Sequence, residues 1–454
     1  MNGNRAQKRA ERNRVLRNRK RRIGYRLRER AWSPQDRAMF AARNIQYELA
    51  DKARGLSAGG IGAMHLLARR TGLIDAIDKE LHLLKVHLPY HESDHVLNIA
   101  YNLLCGGTCL QDLELLRNNE SHLDALGAQR IPDPTTAGDF CRRFDEVDVE
   151  LLQMAIHDVR VRVWKQPPAA FFEEAILDAD GTLAPTLGEC QPGMDLSYKG
   201  EWGYHPLIVS LANTQEPLVV VNRPGNRPSH EGAAERFDQG IELCLGAGFQ
   251  RVLWRGDTDF TQTGEWDRWD ANPRVRFLFG IDAMPNLVEK AENLPGKAWK
   301  PLERAAKYTV ETEPRRKPEN VKERIVRQRR FENIKLPSEQ VAEFEYRPTK
   351  CTKAYRVVVV RKNLSVEKGA QVLFDDVVYF FSITNERKLS SDEIVFLAND
   401  RCNQENWIEQ LKNGVRALAL PVDNLVSNWA YLVMASPAWT LKAWFAWLLP
   451  EEGR

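Results

Sequence analysis

The sequence predicts an α/β protein, in which a mixed sheet follows an all-α region and is interrupted by an inserted, β-containing subdomain. Three observations lead to this prediction. Residues 31–165 carry apolar side chains at helical spacing. Residues 171–281 contain three strand-like runs and then alternating helical and strand-like patterns. Residues 282–375 are rich in Lys, Arg, Glu and Pro, and apolar patterns resume over residues 376–450.

Residues 1–30 form a strongly basic arm in front of these regions. They hold thirteen Lys and Arg residues against two Glu residues, a net charge of +11, so the rest of the chain carries −8 of the total of +3. Such an arm, which includes Lys20, Arg21 and Arg22, is predicted to bind nucleic-acid phosphates. Its few apolar residues predict disorder in the free protein. A solvated tail without a partner is the alternative.

The composition excludes several classes of protein. The chain is 43% hydrophobic and 28% charged, as in soluble globular proteins. No apolar run approaches the ~20 residues of a membrane span, so no membrane association is expected. The seven cysteines are scattered and form no C-x-x-C pair, which favours neither a zinc ribbon nor a disulfide framework. We therefore expect a cytoplasmic protein.

The all-α region contains one pattern that is typical of DNA readers. A turn at Ile131-Pro132-Asp133-Pro134 precedes a predicted helix that Thr135 or Thr136 caps and that runs through Arg142 and Arg143. A helix, a turn and a second helix with paired arginines indicate a helix-turn-helix that enters the major groove. A helical bundle without DNA contacts is the alternative.

Four histidines in the same region raise the question of a metal site. They are His82, His87, His91 and His95, and Pro89 interrupts any helix that would place them on one face. No cysteine lies nearby, so ordinary surface or core histidines are favoured over metal ligands.

An acidic strand end organises the second region. The apolar run 175–177 is long enough for a buried strand, and Asp178, Asp180 and Gly181 follow it. Functional groups collect at the carboxyl ends of strands in open α/β sheets. Two enzyme classes use such acids: metal-dependent nucleases with a sheet of RNase H type, and phosphotransferases with a D-x-D-G-T signature. A strand-to-turn junction that is acidic by chance is the third interpretation.

The later elements favour the RNase H type of sheet. The predicted elements are strands at Tyr204–Ala212 and Leu218–Asn222, a helix at Glu231–Leu245, and strands at Arg251–Trp254 and Val275–Ile281. Three strands followed by alternating helix and strand is the order of a mixed sheet of that type. Asp257 follows its strand as Asp180 follows the first. If the two strands are adjacent and parallel, both carboxylates lie at one edge of the sheet.

A predicted helix over residues 391–415 supplies a third carboxylate. Apolar residues and Arg401, Glu405 and Lys412 share one stripe of this helix. Burying these charges without partners would cost several kcal/mol each. An ion pair between Arg401 and Glu405, which are i, i+4 neighbours, is one explanation. A bound polyanion together with metal ions explains all three charges.

The spacing of these three residues is R-x3-E-x6-K. It resembles the Y-R-E-K signature of bacterial insertion-sequence transposases with a DDE catalytic triad (transposase DDE domain group 1), and in particular the "IS thirteen-eighty" group. The resemblance covers roughly residues 59–450, with the signature tyrosine falling at Ala398. The other matching segments are Asp180-Gly181-Thr182, Tyr198-Lys199-Gly200, Gly203-Tyr204-His205-Pro206-Leu207, Arg223-Pro224-Gly225-Asn226, Arg255-Gly256-Asp257-Thr258-Asp259-Phe260 and Asp400-Arg401-Cys402-Asn403-Gln404-Glu405-Asn406.

The resemblance implies a polynucleotidyl transferase and endonuclease that moves DNA in a bacterial cell, associated with the nucleoid. Its implied partners are double-stranded DNA, as transposon ends and target, and a second copy of the chain. Asp180, Asp257 and Glu405 would hold two Mg²⁺ ions, or Mn²⁺ in their place. Arg401 and Lys412 would contact the phosphates of the transposon ends. Three carboxylates supply the hard oxygen ligands that Mg²⁺ prefers.

Two alternatives remain. In a D-x-D-G-T phosphotransferase related to haloacid dehalogenases, Asp178 would be the nucleophile and Asp180 the acid and base. The further acid expected after Asp257 falls on Thr261, and the basic arm has no role. A DNA-binding protein without catalysis would leave the three acids unexplained.

Overall fold

The computed structural model describes residues 2–27, 38–43, 58–166, 168–186, 188, 191–304, 321–368 and 371–449. The chain divides into two compact units. The first unit comprises Met1–Gln250 and Asn403–Arg454, and the second comprises Arg251–Cys402. Among the described residues, no helix has the length and apolar character that crossing a membrane requires.

Fifteen α-helices lie in the described parts of the chain. They are α1 Asn2–Leu27, α2 Ile61–Thr71, α3 Leu73–Glu80, α4 Glu92–Leu104, α5 Leu113–Leu116, α6 Glu120–Ala125, α7 Pro134–Cys141, α8 Glu146–Trp164, α9 Ala233–Ala247, α10 Trp266–Asp270, α11 Pro285–Glu292, α12 Val321–Gln328, α13 Ser391–Asp400, α14 Cys402–Glu409 and α15 Leu425–Leu448.

The described strands number twelve. They are β1 Glu174–Gly181, β2 Ala184–Pro185, β3 Asp195–Leu196, β4 Trp202–Tyr204, β5 Leu207–Leu211, β6 Glu216–Val221, β7 Arg251–Gly256, β8 Val275–Ile281, β9 Lys300–Pro301, β10 Glu332–Tyr346, β11 Tyr355–Lys368 and β12 Gln371–Thr384. Both antiparallel and parallel strand pairs occur, and this mixed pairing, together with the helices, fits an RNase H-like core.

The first unit contains an antiparallel sheet in the order β6-β5-β1. Every residue of β5 is buried, so this central strand has apolar contacts on both faces. Helix α9 packs on this sheet, where Gly240 brings its backbone close to Leu177 and Val209. A small second sheet in the order β2-β4-β3 follows β1.

Buried charges join the helices of the first unit to the sheet. Glu216 in β6 accepts hydrogen bonds from Arg160 and Trp164 of α8 and from Trp444 of α15. Helix α15 is buried along most of its length, as its apolar composition predicts. It contains Pro437, which lacks the N–H that a helix interior uses.

The basic arm is helical, whereas the sequence predicted disorder. Asn2–Leu27 forms one helix, α1, because Arg, Lys, Gln and Ala favour helix and no proline interrupts the segment. Ile23 is 7% exposed, and Lys20 forms an ion pair with Glu114. Near its end, the arm is therefore attached to the helical region. Side chains 1–12 lie outside the described residues.

The second unit is built on strands in the order β7-β8-β12-β11-β10-β9. β7 and β8 are parallel, and β8 pairs antiparallel with β12. β12 runs unbroken from Gln371 to Thr384, across the predicted end of the insertion at residue 375. The predicted insertion thus extends the same sheet, because Val357–Val360 of β11 are all buried and pair with β12.

Candidate active site

Asp180, the first predicted metal ligand, lies near the end of β1. The register of β1 with β5 pairs Asp180 with Ile208 and Asp178 with Ser210. Side chains two residues apart on a strand project to the same face. Asp178 is 2% exposed, whereas Asp180 is partly exposed. Of these two carboxylates, Asp180 is therefore the one in position to meet a ligand from solvent.

Glu405, the predicted ligand on α14, is exposed to solvent. The residue before it, Gln404, attaches the helix to the sheet. Gln404 is 3% exposed, and its Nε2 donates to the Oγ of Ser210 in β5 at 3.3 Å. Ser210 lies two residues from the β5 residue that pairs with Asp180. This contact holds the start of α14 against the strand next to β1.

Lys412, a predicted phosphate contact, provides a second attachment. Its Nζ donates to the carbonyl oxygen of Leu183 at 2.8 Å. Leu183 lies three residues beyond Asp180. The segment that follows Glu405 is therefore tied to the backbone just after β1. The structure thus brings Asp180, Glu405 and Lys412 to the same part of the first unit.

The predicted single helix over residues 391–415 is wrong in two respects. α13 ends at Asp400, α14 ends at Glu409, and residues 410–414 form a π-helical turn. Glu405 is also exposed rather than buried on the predicted stripe. The reason is that other side chains with the same helical spacing occupy the buried face. They are Gln404, Trp407, Ile408 and Leu411.

Asp257, the remaining predicted ligand, directly follows β7 in the second unit. Its Oδ1 accepts a hydrogen bond from the backbone N–H of Asp259 at 3.0 Å, which orients the side chain. Its Oδ2 faces Arg401, whose Nη2 is 3.6 Å away. The Arg401 side chain is only 13% exposed. The structure thus brings a predicted metal ligand and a predicted phosphate contact together.

A buried cation that sequence reasoning missed shapes the loop beside Asp180. Arg223 is 8% exposed, and burial lowers its pKa to about 10. The loop packs closely on the strand end, since a Cβ on Gly181 would lie 2.8 Å from His205 Nε2 and 3.0 Å from Ser229 Oγ. The only indication of this arrangement in the sequence is that Arg223 and His205 belong to segments that resemble the transposase family. Arg223 donates to the carbonyl oxygens of His205, Pro228, Ser229 and Glu231.

His205 has a defined tautomer. Its Nδ1 lies 2.6 Å from the carbonyl oxygen of Arg227. A carbonyl can only accept, so Nδ1 carries a proton. Nε2 is the nitrogen that faces Gly181, one residue from Asp180. His205 therefore supports the end of β1 as well as the loop around Arg223.

The predicted helix-turn-helix arginines lie after a helix rather than within one. α7 ends at Cys141 and begins at an Asp133 cap rather than a threonine cap, since Asp133 Oδ1 accepts from the Thr136 N–H at 2.9 Å. Arg142 pairs with Asp139 at 2.8 Å and with Asp423 at 3.0 Å. These carboxylates already neutralise Arg142, whereas Arg143 is exposed. In the arm, Arg21 and Arg22 are exposed and Lys20 pairs with Glu114.

The donor set of the three predicted ligands fits a hard divalent ion. Asp180, Asp257 and Glu405 offer only carboxylate oxygens, which suit Mg²⁺ and Mn²⁺ better than softer metals. Each is at least partly accessible, since Asp180 is half-buried, Asp257 is 32% exposed and Glu405 is exposed. An anionic ligand of this kind needs compensation, and Arg401 supplies it at Asp257.

The sequence matches the family model described as transposase DDE domain group 1 over residues 43–453. The match spans nearly the whole chain, and the protein belongs to this family. No curated protein matches it. Among solved structures, it is similar to the cryo-EM structure of a piggyBac transposase synaptic complex with hairpin DNA. The identity is 9%, the match covers 83% of this chain and 73% of that one, and the TM-score is 0.39. The family membership rests on the sequence match.

Proposed function

We propose that this DDE transposase is the enzyme of a bacterial insertion sequence of the "IS thirteen-eighty" group. It binds the terminal inverted repeats of its element, cuts the DNA strands and joins them to a target. The observation that carries the proposal is the partly exposed Asp180 at the end of β1, with the Glu405 helix fixed beside it through Gln404 and Lys412.

The proposal assigns Asp180, Asp257 and Glu405 as the ligands of two Mg²⁺ ions. Two such ions, when bound, activate a water or a 3′-hydroxyl and stabilise the leaving oxygen. The residues of the chain prepare this chemistry. Gln404 and Lys412 hold the segment around Glu405, and Arg401 compensates the charge of Asp257.

Double-stranded DNA is the proposed partner, both as transposon end and as target, and two copies of the chain act together on it. The exposed Arg21 and Arg22 are proposed to contact phosphates, which positions DNA without reading its sequence, and the exposed Arg143 is proposed to enter the major groove and read the sequence of the transposon ends. Lys412 and Arg401 are proposed to contact the phosphates nearest the cleaved bond.

Two other functions have weaker support. A D-x-D-G-T phosphotransferase requires Asp178 as nucleophile, yet this carboxylate is 2% exposed and cannot meet a substrate without rearrangement. A DNA-binding protein without catalysis would give the accessible Asp180 and Glu405 no role. Both would also depart from the activity of the family to which the chain belongs.

Incubation with DNA that carries the element's own ends, with Mg²⁺ or with EDTA, tests the proposal. Asp180→Asn, Asp257→Asn and Glu405→Gln are each expected to abolish cleavage and to retain end binding, because an amide is a poor substitute for an anionic Mg²⁺ ligand. Glu409→Gln is the matched control, since this exposed glutamate lies one turn further along α14. Cleavage that continues undiminished in EDTA would contradict the proposal.

A further inference from the structure

The link between α3 and α4, residues 81–91, brings together two histidines and a glutamate. His87, His91 and Glu92 each offer a ligand atom, and these atoms lie within 4.8 Å of one another. His87 Nε2 is 3.1 Å from Glu92 Oε2. The edge of a tetrahedral zinc site, with metal–ligand distances near 2.1 Å, measures about 3.4 Å. The closest pair therefore already has the spacing of two ligands of one ion.

The carboxylate of Glu92 is held in place by the backbone. Its Oε1 accepts from the N–H groups of Leu83 and Leu84 at 3.0 Å and 2.9 Å. Its side chain is 2% exposed. These bonds fix one oxygen and direct Oε2 towards His87. A buried carboxylate requires compensation of its charge, and a divalent cation supplies more of it than an imidazole does.

The carboxylate of Asp78 lies near the ring of His91. The Nδ1 of His91 lies 4.0 Å from Oδ2 of Asp78 in α3. Asp78 is held by the N–H and the hydroxyl of Ser93, at 2.8 Å and 2.9 Å. At this distance the carboxylate forms no direct hydrogen bond to the ring, but its negative charge favours a cation beside His91.

The site has room to rearrange and a path to solvent. The rings of His87 and His91 are stacked, with centroids 4.0 Å apart and an angle of 12°. A shared ion requires one ring to tilt, because the lone pair of each nitrogen lies in its ring plane. His87 is 36% exposed and is free to tilt. Asp78, His87 and His91 also line a cleft of about 530 Å³ through which an ion can enter.

We propose that His87, His91 and Glu92 bind a Zn²⁺ ion, with the negative charge of Asp78 beside His91 favouring the cation. Two imidazoles and one carboxylate suit zinc rather than Mg²⁺, which prefers oxygen ligands alone. The site belongs to the helical region of the first unit and involves none of the carboxylates proposed for catalysis. The ion would fasten the link 81–91 to the start of α4.

The full-length protein, stripped with a chelator, is titrated with Zn²⁺ by calorimetry in the presence of excess Mg²⁺, which occupies sites made only of oxygen ligands. Wild type is expected to bind one Zn²⁺ per chain and to unfold at a higher temperature with the metal. His87→Ala, an exposed position in a loop, is expected to lose this binding. Asp78→Asn is expected to weaken it, because the negative charge beside His91 is lost.

His82→Ala is the matched control, because His82 lies in the same link and lines the same cleft but is not among the proposed ligands. Its Zn²⁺ affinity is expected to equal that of wild type. Circular dichroism of each variant establishes that it is folded. Three results would overturn the proposal: no Zn²⁺ binding by wild type, unchanged binding by His87→Ala, or binding lost in Asp180→Ala and kept in His87→Ala.

Discussion

Replacement of Glu216 by alanine is expected to destabilise the first unit strongly. The Glu216 carboxylate accepts from Arg160 Nε at 2.8 Å, from Trp164 Nε1 at 2.9 Å and from Trp444 Nε1 at 2.7 Å. The side chains of Arg160 and Glu216 are only 2% and 1% exposed. Breaking a buried pair by removing one partner costs about 3–5 kcal/mol, because the other charge stays buried. The two indole N–H groups also lose their acceptor. We therefore expect a loss of about 4 kcal/mol or more.

Urea unfolding followed by tryptophan fluorescence and by circular dichroism measures this loss, provided that the two transitions coincide. Arg227→Gln is the control, since it removes an exposed pair with Glu231 and is expected to cost less than about 1 kcal/mol. The double variant Arg160→Met/Glu216→Leu removes both buried charges of this pair. It is expected to be more stable than Glu216→Ala. If Glu216→Ala cost no more than Arg227→Gln, the reasoning about the buried pair would be refuted.

Three further predictions concern activity, DNA binding and pH. Asp178→Asn is expected to retain strand transfer, because this carboxylate is buried, and phosphatase activity on small esters that needs Asp178 would contradict the assignment. Arg143→Gln is expected to weaken binding to the element's ends more than to random duplex in a titration, and equal losses would remove the predicted DNA reader. Burial lowers the pKa of His65 and His122 to about 4 and that of His95 to about 3. Below pH 6.5 the unfolded state therefore binds more protons than the folded state. Acidification from pH 7 to pH 5 should cost about 2 kcal/mol per histidine, and a urea midpoint unchanged at pH 5 would contradict this.

The elements that periodicity determines were predictable from the sequence. β8 occupies Val275–Ile281 as predicted, and α15 lies within residues 376–450, where apolar patterns resume. In both segments most of the buried residues are apolar. The order of β1, β5, β6, β7 and β8 along the chain was also predictable, because each apolar run is separated from the next by turn residues or by a helix. Asp180 and Asp257 were predicted as metal ligands because each acid follows such a run.

Features that depend on contacts between distant residues were not predictable in this way. Arg160 and Glu216 are 56 residues apart, and nothing local marks them as a pair. Glu405 is exposed because Gln404 takes the buried position beside it in α14, and the apolar pattern of residues 391–415 does not show this choice between two polar neighbours. The histidines at 87 and 91 were set aside because Pro89 excludes a common helix. They meet instead because the link between α3 and α4 folds back on the start of α4.

The Glu216 network and the Asp180 strand belong to the same sheet. β6 carries Glu216 and pairs with β5, and β5 in turn pairs with β1, which carries Asp180. Helices α8 and α15 therefore fix one edge of this sheet while Gln404 fixes β5. A metal ligand such as Asp180 must be held within about 0.5 Å of its productive position, and a well-supported strand provides this precision. For this reason Glu216→Ala is expected to lower strand cleavage even at temperatures where the protein stays folded, although Glu216 itself is fully buried.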